Sequence, residues 1–206
     1  MLVHPVREQD RPLHEDVRLL STTLGEVIAR VEGEQVFAEV EALRRACRQR
    51  RHGDEGAPSL DALSDRVVRM EPHILSRVAR AFTIFFLLIN TAEQVHRVRR
   101  RRSYPAHPAQ PASFAWVLRQ LQEAGVSAED AAQAVMRLDV RPVLTAHPTE
   151  STRHTILTLL ARVAKALLDR NGSERRRTHA AEESLRAEVE LLWLTSEVRR
   201  DRLSVL

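Results

Sequence analysis

Leu13, Val17, Leu20, Leu24, Val27 and Val31 recur at alternating steps of four and three residues, which places all six on one face of a helix over 13–31. Gly33 stands where such a helix should stop. The pattern resumes over 34–51 through Phe37, Val40, Leu43 and Cys47, so the two segments are expected to pack as an antiparallel pair across a short connection. The polar, breaker-rich stretch 52-HGDEGAPS-59 reads as a loop, with Ser59 as N-cap of a short helix through Met70. After Pro72 a long helix is expected to about Arg102. Its middle is apolar nearly all round, from Ile84 to Ile89, so it is expected to run through the centre of the core.

The segment 103-SYPAHPAQPAS-113 carries three prolines and cannot be regular structure. Short helices are predicted over 114–124 and 128–137, the second introduced by Gly125 and by Ser127 with Asp130 in capping-box spacing. Then the period changes. In 139-DVRPVLTA-146 the β-branched residues and the loss of helical spacing predict a strand, ended by His147-Pro148. Helical spacing returns after Thr149, with Ile156, Leu160, Val163 and Leu167 on one face, breaks at Asn171-Gly172, and resumes from about Glu174 to the end. A lone buried strand leaves backbone groups unpaired at a cost on the order of 1 kcal/mol or more each. Residues 139–146 therefore call for neighbouring strands that this sequence does not hold, and residues beyond 138 are expected to pack less well than the amino-terminal helices.

With 206 residues and 43% hydrophobic side chains, the chain can build a core as one large domain or two small ones. The 32 basic and 28 acidic residues give a mild net charge of +4. Lys165 is the one lysine, so the high isoelectric point comes from arginine rather than from a dedicated polyanion surface. The run 96-HRVRRRR-102 falls at the end of the long helix, where cations are favoured by the dipole. No aromatic residues are interleaved in it, and a nucleic-acid partner is not expected. Cys47 is the single cysteine and no Cys/His spacing suggests a metal site in this chain. The run 84-IFFLLI-89 is far shorter than the ~18 residues of a membrane span, and the first residues lack a continuous apolar segment of the secretory type. No membrane partner and a cytoplasmic location are the expectation.

The remaining chemistry lies in 143-VLTAHPTESTRHT-155. A strand that runs into a helix through this turn puts His147 at the strand's carboxyl end and near the positive pole of the helix. First-turn N–H groups, the hydroxyls of Thr149, Ser151 and Thr152, and the Arg153 guanidinium make a candidate anion site for a phosphate or carboxylate. The same dipole disfavours imidazolium and keeps His147 usable as a base. A histidine at such a turn is more often a capping or packing residue, and short motifs match by chance. Spacing alone leaves both readings open.

The segment 141-RPVLTAHPTESTRHTIL-157 resembles the histidine signature of phosphoenolpyruvate carboxylases, T-A-H-P-T-[EQ] followed by an arginine pair. The stretches 16-DVRLLSTTLGEVI-28, 81-AFTIFFLLINTAEQVHRVRRRR-102 and 191-LLWLTSEVRRDRLSVL-206 are similar to the amino-terminal region of the same family, in its order. The resemblance implies a mainly α chain, the helical amino-terminal region of a TIM-barrel-type enzyme with only the first barrel strand present. Residues 1–138 would be the helical region, 139–148 the first strand and histidine turn, and 149–206 the helices that follow. It implies carboxylation of phosphoenolpyruvate by bicarbonate to oxaloacetate and phosphate, with His147 as catalytic base in the carboxylation half. Mg²⁺ or Mn²⁺ is the implied cofactor, with ligands outside this chain, and the complete protein is implied to be a homo-oligomer, a tetramer. The second arginine of the family's pair is His154 here, which counts against activation by the phosphorylated sugar that this pair binds in some members. Nothing matches the family's metal carboxylates, glycine-rich loop, catalytic lysine or substrate-binding arginines. The chain alone is therefore expected to be inactive without its missing carboxyl-terminal barrel segments. The alternative is a non-catalytic helical module, derived from the family, that binds a partner.

Overall fold

A computed structural model describes residues 7–103, 113–143, 153–170 and 175–196. The described residues are helical almost throughout and contain no strand. A 3-10 turn at Glu8–Asp10 leads into α1 (Arg11–Glu32), followed by α2 (Glu34–His52), α3 (Leu60–Val68), α4 (Pro72–Ser103), α5 (Phe114–Glu123), α6 (Ala128–Met136), α7 (His154–Arg170) and α8 (Arg175–Leu194).

Local chemistry sets the ends of these helices. Gly33 adopts a φ of 86°, open to a residue without a Cβ. Its N–H closes α1 on the Ala29 carbonyl at 3.1 Å, and α2 starts at the next residue. Ser59, Ser113 and Ser127 sit in extended conformation before α3, α5 and α6. Each hydroxyl accepts a first-turn N–H, from Ala62, Trp116 and Asp130 respectively, which satisfies donors a helix start otherwise leaves orphaned. Ser127 also donates to the Asp130 carboxylate at 2.6 Å, so the capping spacing expected there is present.

The chain forms two compact units, Met1–His96 with Thr152–Leu206, and Arg97–Ser151. The first has a core contributed by Leu20, Leu24 and Ile28 of α1, Leu43 of α2, Ile84 and Leu88 of α4, Val163 and Leu167 of α7, and Leu185 and Val189 of α8. Ion pairs give the helix directions. Glu26 meets Arg186 at 3.1 Å and Arg30 meets Glu190 at 2.7 Å, so α1 and α8 run parallel. Arg77 reaches Glu32 at 3.0 Å while His96 lies 3.5 Å from Asp10, so α4 runs antiparallel to α1. Arg162–Glu188 and Arg170–Glu182 make α7 and α8 an antiparallel hairpin. In the second unit α5 and α6 are joined by Gly125, where the Val126 N–H returns to the Leu121 carbonyl at 2.9 Å, a closing bond of the Schellman type.

Several expectations are corrected. α2 buries Val36, Leu43 and Ala46, whereas Cys47 is exposed. The buried face is set by the approach of α1, where a Cβ on Gly25 would come within 3.1 Å of the Phe37 ring. On α4 one stripe is buried, including Ile74, Val78, Ala81, Ile84 and Leu88, but Phe86 is 58% exposed. α4 is long and apolar enough by length and composition to cross a membrane, yet this stripe packs into the shared core. Residues 139–143, the described part of the expected strand, have no regular structure and are exposed. A strand exists only through a ladder, and no described segment provides one. Residues 144–146 lie outside the described residues. The expectation of poor packing beyond 138 fails for α7 and α8, since Val163, Leu167 and Val189 are wholly buried.

Asp16 is 1% exposed and accepts from Arg170 Nη1 at 3.3 Å, and Arg170 also donates to Glu182 at 3.2 Å. One guanidinium thus ties α1, α7 and α8. Arg170→Met is expected to cost about 1.5–3 kcal/mol, because it removes a charge-assisted hydrogen bond from a buried carboxylate, and the Asp16→Asn/Arg170→Met pair less than the sum of its singles. Urea unfolding followed by circular dichroism measures both. Leu185→Ala is expected to cost about 2–5 kcal/mol in the same assay, against less than about 0.5 kcal/mol for the exposed Val68→Ala.

Arg44 donates to both oxygens of Glu41, at 2.8 and 2.7 Å, and these bonds hold the Glu41 carboxyl below its ordinary value. That contribution is present above the unfolded-state value and is lost as pH falls through the lowered folded one. It is small, because the pair is partly solvated.

Candidate functional site

His147, Thr149, Ser151 and Thr152 lie outside the described residues; Arg153 lies within them. Arg153 is the last residue before α7. Its carbonyl accepts from the Ile156 and Leu157 N–H groups at 2.8 and 3.2 Å, so the helix is already closed at the point where the histidine segment joins it. His147 lies six residues before Arg153, a reach of at most about 22 Å of extended chain. His154 is exposed, with Nδ1 3.4 Å from the Thr158 hydroxyl, which itself donates to the His154 carbonyl at 3.0 Å.

The guanidinium of Arg153 donates through Nη1 to the Ser196 carbonyl at 3.1 Å. It is therefore turned toward the segment that follows α8, a role the anion-site expectation did not include. The end of α8 is held more heavily by Arg80 of α4. Arg80 donates through Nε and Nη2 to the Trp193 carbonyl at 3.1 and 2.7 Å, and through Nη2 to the carbonyls of Leu192 at 3.4 Å and Thr195 at 2.5 Å. Helix ends leave their last carbonyls unsatisfied and carry partial negative charge, so a guanidinium there answers both needs. Arg80 also lies 5.6 Å from the centre of the Trp193 ring, within cation–π range.

Trp193 is buried, and its indole N–H donates to Glu32 Oε1 at 3.0 Å while Arg77 pairs with Glu32 Oε2 at 3.0 Å. The end of α1, the first turns of α4, the end of α8 and the start of α7 are thus joined by Arg77, Glu32, Trp193, Arg80 and Arg153. Arg153, the first described residue after the histidine segment, thus lies beside the end of α8. Sequence reasoning missed Arg80 and Glu32. The available signals were an arginine one residue before the buried Ala81 and an indole that, once buried, needs an acceptor. Among the described residues no group of three or more His, Cys, Asp or Glu side chains is placed to hold a metal ion.

The family model for phosphoenolpyruvate carboxylase matches residues 13–206. A phosphoenolpyruvate carboxylase of Thermus sp. (strain 71) is 39% identical over 197 residues, 94% of this chain and 22% of the relative. That of Nitrosomonas europaea is 37% identical over 204 residues, with 96% and 22% covered, and that of Paraburkholderia xenovorans 39% identical over 204 residues, with 96% and 20% covered. The chain belongs to the phosphoenolpyruvate carboxylase family. It spans about a fifth of the length of these relatives.

Arg80→Met removes the cap and the ring contact together. It is expected to cost about 2–3 kcal/mol and to shift Trp193 emission to longer wavelength as water reaches the indole. Arg80→Lys, which cannot bridge several carbonyls with one planar fork, should recover only part of the loss. Chemical denaturation monitored by tryptophan fluorescence checks both.

Proposed function

We propose that this chain is the amino-terminal portion of a phosphoenolpyruvate carboxylase and that His147 is its catalytic base. The observation that carries the proposal is the family match over residues 13–206, which takes in the whole of 145-TAHPTE-150. Residues 139–146 would be the first strand of a barrel whose other strands lie outside this chain. His147 would open at its carboxyl end, and Thr149, Ser151, Thr152 and Arg153 would line an anion site beside it. Arg153 would take that role by rotating away from its exposed contact with Ser196.

In this reading a bicarbonate oxygen attacks the phosphorus of phosphoenolpyruvate, the bond from phosphorus to the enol oxygen breaks, and carboxyphosphate and the enolate of pyruvate result. Neutral His147 takes the carboxyl proton of carboxyphosphate. CO2 and inorganic phosphate separate, and C3 of the enolate attacks CO2 to form oxaloacetate. Confinement beside a helix start favours the anions on this path. The described residues do not fit a metal site. Mg²⁺ or Mn²⁺, which would neutralise substrate charge when bound, would take its ligands from the rest of the enzyme. The complete protein would act in the cytoplasm as a homo-oligomer, a tetramer.

The purified 206-residue chain is expected not to consume phosphoenolpyruvate in the presence of bicarbonate. A hybrid joining it to the remaining portion of the Thermus sp. relative is expected to form oxaloacetate. His147→Ala should lower that rate by about 100-fold or more. Coupled oxidation of NADH by malate dehydrogenase reports the product. Turnover by the chain alone, or an unimpaired His147→Ala hybrid, contradicts the proposal.

A further inference from the structure

We propose that the apolar face of α5 is a docking surface for the portion of the carboxylase that the relatives carry beyond this chain, an inference that rests on the carboxylase reading. Phe114, Val117, Leu118 and Leu121 follow the spacing i, i+3, i+4, i+7 and form one stripe of the helix. Ala115 and Gln122 flank it, and Trp116, Arg119, Gln120 and Glu123 lie on the other side of the helix. A helix with this pattern is built to bury the stripe, yet Phe114 is 64% exposed, Val117 44% and Leu118 42%. α6 buries only Ala131. No charged side chain interrupts the stripe, so the occupant it fits is another apolar surface rather than a polar ligand.

The remaining portion of the enzyme is the occupant that answers a second need in the same unit. α6 leads almost directly into 139–143, where Val140 and Val143 are exposed and no described strand pairs with the backbone. A segment that supplied a ladder there would stand a few residues from α6 and its partner α5. The chain covers 22% of the Thermus sp. relative, which leaves about four-fifths of that protein to provide both the strands and the cover. A second copy of this chain would bring more stripe but, among its described residues, no strand.

Hydroxyl-radical footprinting read by mass spectrometry tests this on the 206-residue chain and on the hybrid with the remaining portion of the Thermus sp. relative. Labelling of Phe114 and Leu118 is expected to fall at least about fivefold in the hybrid, as an interface core excludes water. Equal labelling in the two proteins overturns the inference. So does protection already present in the 206-residue chain, whether constant with concentration, which means the chain covers the face itself, or rising with it, which means a second copy does. Leu118→Asp supplies a check that does not need the hybrid to fold. It should move the melting temperature of the 206-residue chain by less than about 2 °C, and a larger fall shows the face is already in use and overturns the inference. Activity is scored separately: an active hybrid with an unprotected α5 sinks this inference alone, and a protected hybrid that makes no oxaloacetate sinks the catalytic reading alone.

Discussion

One buried core joins the two ends of the described chain. Leu20, Leu24 and Ile28 near the start pack with Val163, Leu167, Leu185 and Val189 near the finish, and the Asp16–Arg170 and Glu32–Trp193 contacts cross the same distance in sequence. Neither set of helices can bury its apolar face without the other. This closes a long loop at an entropic cost that grows only slowly with its length. What it secures is position: Arg153, the first described residue after the histidine segment, stands at a fixed point beside the end of α8.

That fixed point is held by charge as well as by apolar burial. Arg80 satisfies the carbonyls at the end of α8, Glu32 takes the Trp193 indole N–H, and Arg153 reaches across from the start of α7. Such contacts combine hydrogen bonds with a favourable helix-end potential.

Local features were legible in the sequence and long-range ones were not. Ser59, Ser113 and Ser127 act as caps through atoms within three residues, and the spacing that locates Ser59 and Ser127 is enough to read them. The apolar faces of α1 and α7 could be read in the main from periodicity, since Leu20, Leu24, Val27, Ile156, Val163 and Leu167 are buried, although Val31 at the end of the expected α1 face is exposed. The face of α2 slipped by a residue, leaving Cys47 outside, because the approach of α1 at Gly25 decides which side is covered. Arg80 meets Trp193 across more than a hundred residues, and no local pattern carries such a pairing. Residues 139–143 read as a strand from β-branched composition, but a ladder needs a neighbour, and composition cannot supply one. The histidine turn was legible only through the resemblance of 141-RPVLTAHPTESTRHTIL-157 to the family signature.

We propose that His147 serves the carboxylation half of the reaction and not the transfer of the phosphoryl group. The most direct test is the partition of phosphoenolpyruvate between oxaloacetate and pyruvate in the His147→Ala form of the completed enzyme, measured with labelled bicarbonate. Continued bicarbonate-dependent release of phosphate is expected, with the carbon skeleton recovered as pyruvate. An unchanged ratio of oxaloacetate to pyruvate would contradict it.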